Sequence, residues 1–413
     1  MLIDRPNYIN ELKSFKDQDL IKVVTGLRRS GKSTLFELYV NYLKSTGVKD
    51  RQIIQMNFDN PIYDFKTAKD LYDYIIGHAA GSTEKTYVFL DEIQMVPEFQ
   101  KAINGLRILP NFDIYITGSN AYLLSGELAT LLSGRYIEIH MLPLSFKEYL
   151  TGLYPDTTDF AVLKRKINLE TVFHDYLNFG SLPQTLNYYT EQEGIKVPSS
   201  TKISKYLENI LSTIVYKDIM MRHSITDRDL LEKIVKFILD NIGQPISIKK
   251  IVDTLNGNQQ KTSFYTIENY VSALEECFLI YKADRYDIRG RELLSTGYKY
   301  FVADLGLRRF LLGRDVKSDI GQMLENTIYL ELIRRGKQVK VGKYDNLEVD
   351  FITNDNTYYQ VSTDISNPDT LNRELAPLRS IKDNYPKVLL TTSGNTNIDG
   401  IEVQSIIDWL LSD

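Results

Sequence analysis

The 413-residue chain is poor in the residues that build covalent or metal frameworks: one cysteine, four histidines and one tryptophan. A lone thiol, Cys277, excludes an internal disulfide network and a cysteine-rich zinc site. It lies in the apolar run Glu276-Cys-Phe-Leu-Ile280, which reads as core packing and suits a reducing cytoplasm. Four scattered histidines give no basis for a histidine-built metal centre. Long apolar runs are missing too, so no membrane span is expected. The first residues, Met-Leu-Ile-Asp-Arg, carry charge where a secretory leader needs apolar side chains. Nor is there a large excess of one sign of charge. With 49 basic and 54 acidic residues the net charge is −5, which excludes a generally basic protein that coats nucleic acid. The negative excess is concentrated in residues 301–413, which sum to −4.

What is present is a globular composition, 43% hydrophobic and 25% charged, in a chain long enough for two to three domains. Residues 1–150 alternate short β-branched runs with longer helical patterns. The runs are Ile21–Thr25, Ile53–Phe58, Tyr87–Leu90, Ile114–Thr117 and Tyr136–Ile139. Buried strands interleaved with helices predict a parallel α/β sheet covered on both faces. Residues 151–229 read as helical, with a linker over Thr190–Ser200. Residues 230–298 read as three helices and a strand, the winged-helix pattern, followed by a linker over Asp287–Thr296. Residues 299–413 predict a second α/β domain that ends in a helix over Ile401–Leu411.

Three strand ends carry the chemistry. Gly26-Leu-Arg-Arg-Ser-Gly31-Lys32-Ser33 fits G-x-x-x-x-G-K-[ST] between a strand and a helix, the context that pattern requires. Glycines let successive N–H groups turn inward onto phosphate oxygens, and the helix N-terminus adds its positive dipole end. Gly26, Arg29, Ser30, Gly31, Lys32, Ser33 and Thr34 are therefore expected to cradle ATP. Lys32 would neutralise the outer phosphates, and the Ser33 hydroxyl would hold Mg²⁺. Tyr87-Val-Phe-Leu-Asp91-Glu92 delivers Asp91 to the Mg²⁺ and Glu92 to the attacking water, an arrangement that favours hydrolysis over phosphoryl transfer to a small molecule. Ile114-Tyr-Ile-Thr117-Gly-Ser119-Asn120 ends a third strand in polar residues. Either Ser119 or Asn120 is placed to hold water or sense the γ-phosphate, with Thr117 the weaker choice. Arg135 is the candidate arginine finger.

With these motifs, the chain resembles a family of bacterial and archaeal predicted ATPases with an N-terminal AAA-type P-loop domain and a nuclease-like C-terminal domain of uncharacterised function. Beyond the phosphate loop, the resemblance rests on Leu90-Asp-Glu-Ile-Gln94, Ile116-Thr-Gly-Ser-Asn-Ala121, Ser133-Gly-Arg135 and Leu142-Pro-Leu-Ser-Phe-Lys-Glu148. It continues through Lys299-Tyr-Phe-Val-Ala-Asp-Leu-Gly306, Leu324-Glu-Asn326 and Glu348-Val-Asp-Phe-Ile352. It implies a cytosolic ATPase, with homo-oligomers expected. ATP turnover is expected to drive a conformational switch or to remodel an unknown partner. The C-terminal part is similar to the restriction-endonuclease core, which needs a helical Glu, a strand Asp and then Glu-x-Lys. Glu325 and Asp350 match the first two places. At the third, Gln360 stands for Glu and Ser362 for Lys, so a degenerate site is expected, with Lys337, Lys340 and Lys343 as substitutes for the missing lysine. The winged-helix segment offers basic Lys249, Lys250, Lys261, Lys282, Arg285, Arg289 and Arg291. The helix that would face DNA also carries Glu268, Glu275 and Glu276, which favours packing over DNA binding. DNA, or a protein partner, is the alternative ligand class, and ATP-dependent DNA processing the alternative function.

Overall fold

The computed structural model describes residues 2–79, 84–121, 132–157, 159–257, 262–313 and 319–412, and elements are counted over these residues. The chain forms two compact units. One holds Met1–Pro143 with Glu276–Phe278, the other Leu144–Glu275 with Leu279–Asp413.

The first unit is built on strands β1 (Ile21–Thr25), β2 (Ile53–Asn57), β3 (Thr86–Asp91), β4 (Phe112–Thr117) and β5 (Tyr136–His140), in the order β2-β3-β4-β1-β5. All neighbours pair in parallel. Alternation along each strand divides the apolar side chains between two layers. Val24, Tyr87, Phe89, Tyr115 and Ile139 pack against helices α1 (Pro6–Ser14) and α2 (Lys32–Ser45). Val23, Ile54, Val88, Leu90 and Ile114 pack against α3 (Ala68–His78) and α4 (Phe99–Arg107). Both faces are dry, which is why the strands read as continuous apolar runs. An ion pair is buried among them. Lys22 is bonded to Asp113 at 2.5 Å, and both side chains are fully buried. The carboxyl ends of β1, β3 and β4 lie level, with Leu90 beside Ile116 and Val24 beside Thr117. That shared edge positions the candidate site.

The second unit opens with the helices Phe146–Leu153, Phe160–Lys166 and Leu169–Phe179. The linker expected at 190–200 is instead a hairpin of β6 (Tyr189–Gln192) and β7 (Ile195–Pro198). Its two-residue turn, Glu193-Gly194, takes positive φ at both positions, as a tight primed hairpin turn requires. The helix Ser200–Thr213 runs on into a π-helical segment, Ile214–Met220.

Three helices follow, Arg228–Asp240, Ile248–Gly257 and Phe264–Glu276, with the two-residue strand β8 (Pro245–Ile246) between the first two. The hairpin β9 (Ile280–Asp287) and β10 (Glu292–Val302) comes next, so the linker expected at 287–296 is its turn and the start of a strand. β9 also pairs in parallel with β11 (Val339–Tyr344). The sheet continues through β12 (Leu347–Thr353), β13 (Tyr358–Ser362), β14 (Lys387–Thr391), β16 (Ile401–Ser405) and β15 (Thr396–Ile398), nine strands with β8 at the far edge. The domain boundary expected at 298/299 falls inside β10. The closing helix is shorter than expected. Ile401 and Val403 are buried around exposed Glu402, a period of two, and only Ile406–Leu411 is helical.

Candidate functional site

Gly26 leaves β1 at φ +141°, where a Cβ would lie 2.1 Å from the Met141 carbonyl oxygen, so the loop closes this tightly only on glycine. Gly31, at φ +105°, begins α2 without any side-chain cap. The first-turn N–H groups of α2 therefore face the loop interior. Lys32 is buried, and its Nζ donates to the carbonyls of Gly26 (3.0 Å) and Leu27 (3.1 Å). Arg29 is exposed at φ +67°, Ser33 is exposed and Thr34 is half-buried. Arg5, missed at sequence level, braces the loop from outside by donating to the carbonyls of Ser30 (3.2 Å) and Leu142 (2.7 Å).

At the tip of β3, burial pushes the Asp91 carboxyl above its usual range, while hydrogen bonds from Ser33 and Thr117 pull the other way. Asn57, from the end of β2, donates to Asp91 Oδ2 at 2.8 Å. Glu92 sits in the left-handed region at φ +55°, and its N–H donates to Thr117 Oγ1 at 2.9 Å. Gln94 and Ser119 both donate to Glu92 Oε2, the latter at 3.3 Å. Of the pair left open, Ser119 touches Glu92, and Asn120, the third residue after β4, is buried. Thr117, the weaker choice, is the hub that ties β3 to β4 through Asp91 and Glu92. Asn57 and Thr117 reach Asp91 through sheet register, and Gln94 reaches Glu92 through the turn after β3. His140 at the end of β5 is held down to about 4 by burial and by the Lys32 charge, and its Nδ1 lies 3.1 Å from Thr25 Oγ1.

The arrangement suits a triphosphate with Mg²⁺. Ser30 Oγ is buried without a hydrogen-bond partner among the described residues, inside the loop where phosphate oxygens would accept from it. Ser33 and Asp91, already joined by a hydrogen bond, form the oxygen donor pair that Mg²⁺ takes. Arg135 lies elsewhere. It is exposed, donates to Asn104 Oδ1 at 3.1 Å, and its carbonyl pairs with Ile21 N at the start of β1. Five strand residues, about 16 Å, separate it from the loop of its own subunit.

In the second unit, Asp350 and Gln360 do meet: Asp350 N–H approaches Gln360 Oε1 at 3.4 Å. Glu325 is linked to them through a residue that sequence reasoning missed, Lys299 of β10. The substitutes considered for the missing lysine do other things. Lys337 pairs with Asp355, Lys340 lies over the Tyr286 ring, and Lys343 aligns with Asp287 in the ladder. Among the basic residues of the helix–hairpin segment, Lys249 and Lys250 are exposed, Arg289 pairs with Asp345, and Lys282 covers the Tyr298 ring. Lys261 lies outside the described residues. No described helix is long and apolar enough to cross a membrane.

Residues 18–150 match the AAA domain family, and residues 170–318 match a domain of unknown function (DUF8612). A solved structure, the Walker-type ATPase of Pyrococcus abyssi, shares the fold at a TM-score of 0.52 with 15% identity, covering 75% of this chain and 96% of that one. An uncharacterised protein of Methanocaldococcus jannaschii is 32% identical over 80% of this chain and 71% of its own length. An uncharacterised Haemophilus influenzae protein is 42% identical over 99% of both chains. The chain belongs to the family of these uncharacterised proteins, with an AAA-type ATPase domain at its N-terminal end.

Proposed function

We propose that this protein binds ATP with Mg²⁺ in the loop Gly26–Ser33 and hydrolyses it, using the cycle to switch its own conformation or to remodel a partner. The observation that carries this reading is the meeting of Lys32, Asp91, Glu92 and Ser119 at one sheet edge, with the buried Ser30 hydroxyl of the loop left without a partner among the described residues. Lys32 exchanges its two carbonyl partners for phosphate oxygens. Ser33 and Asp91 would hold Mg²⁺, which when bound would supply positive charge beside the phosphates. Glu92 accepts a proton from the attacking water, and Ser119 keeps the carboxylate aimed. Arg135, at the far end of β5, serves a neighbouring copy in a homo-oligomer and not its own loop. Turnover in the presence of Mg²⁺ that disappears in Lys32→Ala, with Glu92→Gln still binding ATP, is the expected result; equal turnover in all three refutes the reading.

Arg228–Val302 is read as a winged-helix-type module used for packing. Its hairpin is part of the large sheet, Arg289 is engaged with Asp345, and exposed Glu268 lies on the helix that would approach DNA. The restriction-endonuclease likeness of the strands after it is read as a retained scaffold. ATP-dependent DNA processing, the alternative, requires binding that weakens steeply with salt. Fluorescence anisotropy with labelled duplex and single strands at low salt decides, and DNA-stimulated ATP turnover would favour the alternative.

A further inference from the structure

Lys299 is one of the deeply buried charges of the second unit, its side chain 3% exposed. Its Nζ lies 2.7 Å from Glu348 Oε1 and 3.4 Å from Glu325 Oε2. Asp350 adds a third carboxylate near the ammonium, and its Oδ2 accepts from Val361 N–H at 2.8 Å. Gln360 fastens the group to the helix above by donating to Glu374 Oε2 at 3.3 Å. The backbone presses in as well: a Cβ on Gly243, at φ +68°, would lie 3.2 Å from Glu325 Oε2.

We propose that the Lys299 ammonium is the resident cation of this cluster, occupying the place between a helix carboxylate and strand carboxylates that a divalent ion takes in a phosphodiester-cleaving site. Two facts carry it. The lysine comes from β10 and inserts between Glu325 of the helix Ile320–Arg334 and Glu348 of β12, so it bridges the two carboxylates. Ser362, where the cleaving pattern has its lysine, turns to the Asp364 carbonyl at 3.3 Å. A compact ammonium with three donors satisfies carboxylates without the geometry demanded by a divalent ion. The sheet then serves as a charge-locked scaffold that pins the hairpin to the C-terminal strands.

The test uses the full chain without nucleotide and follows thermal unfolding with MnCl₂ added. Lys299→Met removes the charge at similar length, and Asp350→Asn is added as the control that spares the phosphate loop. Lys299→Met is expected to unfold earlier than wild type and to recover about 5 °C at a hundredfold excess of Mn²⁺ over its Kd. Wild type and the double variant are expected not to respond. If Lys299→Met fails to fold alone, refolding yield with and without Mn²⁺ makes the same distinction. A Mn²⁺ response or Mn²⁺-dependent DNA cleavage by wild type that Asp350→Asn removes would overturn the proposal. So would a Lys299→Met protein that ignores Mn²⁺.

Discussion

Asp91 is held in the fold against its own charge. Burial raises its carboxyl above the usual range, so the folded state binds a proton more readily than the unfolded chain, and ionisation costs stability as pH rises through the folded value. Asp91→Asn is therefore expected to raise the unfolding midpoint of the nucleotide-free protein at pH 8 while abolishing Mg²⁺-dependent turnover. The gain should shrink as pH falls and Asp91 takes up its proton. A scan of midpoint against pH for both proteins checks it. His140 has the opposite sign. Its folded value of about 4 lies below that of an exposed imidazole, so the stability it permits is complete above about pH 6.5 and is lost as pH falls towards 4. By pH 4 the loss amounts to about 3 kcal/mol. His140→Gln should flatten that slope in acid denaturation followed by circular dichroism. The phosphate loop was legible because its residues are contiguous and their spacing is itself the chemistry. The contacts of Asn57, Gln94 and Lys299 were not legible, and Thr117 was only the weaker choice, since each reaches its partner through a strand register or a loop geometry that a linear reading does not supply.

Among the elements, the crossing of the helices Leu169–Phe179 and Leu305–Leu312 depends on one carboxylate. Fully buried Asp304 accepts from Ser181 N–H at 2.6 Å and from Leu307 N–H at 3.0 Å, capping one helix while tying down the chain after the other. A Cβ on Gly306 would meet the Phe179 carbonyl oxygen at 2.4 Å, so the helices touch backbone to backbone. Asp304→Ala strands two buried donors and should cost about 2–4 kcal/mol, read as a lower urea midpoint. The strands of the first sheet were visible in sequence because both faces are buried and the runs are uninterrupted. The second unit was harder. Glu193-Gly194 was read as part of a linker although it is a hairpin turn, and the two-residue period of Ile401–Ser405 was absorbed into the helix that follows. The hairpin β9–β10 matches the strand after three helices, but its union with β11 depends on a parallel pairing more than 50 residues apart in sequence. Local pattern cannot carry such a pairing.

For the whole molecule, the position of Arg135 sets a condition on assembly. About 16 Å of strand separates it from the loop of its own subunit, so a catalytic Arg135 must act on a neighbouring copy. Lys32→Ala and Arg135→Ala, each inactive alone, should then regain part of the wild-type rate when mixed, because some interfaces pair an intact loop with an intact arginine. No recovery, with oligomers confirmed by light scattering, would remove Arg135 from the mechanism. The negative charge noted in residues 301–413 also gains a partial address. Glu325, Glu348 and Asp350 surround Lys299, inside the sheet where a cleaving site would have to admit phosphate. The central claim remains ATP hydrolysis at the first sheet edge. Its most direct measurement is phosphate release with Mg²⁺ and ATP by wild type, Lys32→Ala and Glu92→Gln, with nucleotide binding measured alongside. The account predicts turnover in wild type alone and ATP retained by Glu92→Gln; undiminished turnover in Glu92→Gln or Lys32→Ala would contradict it.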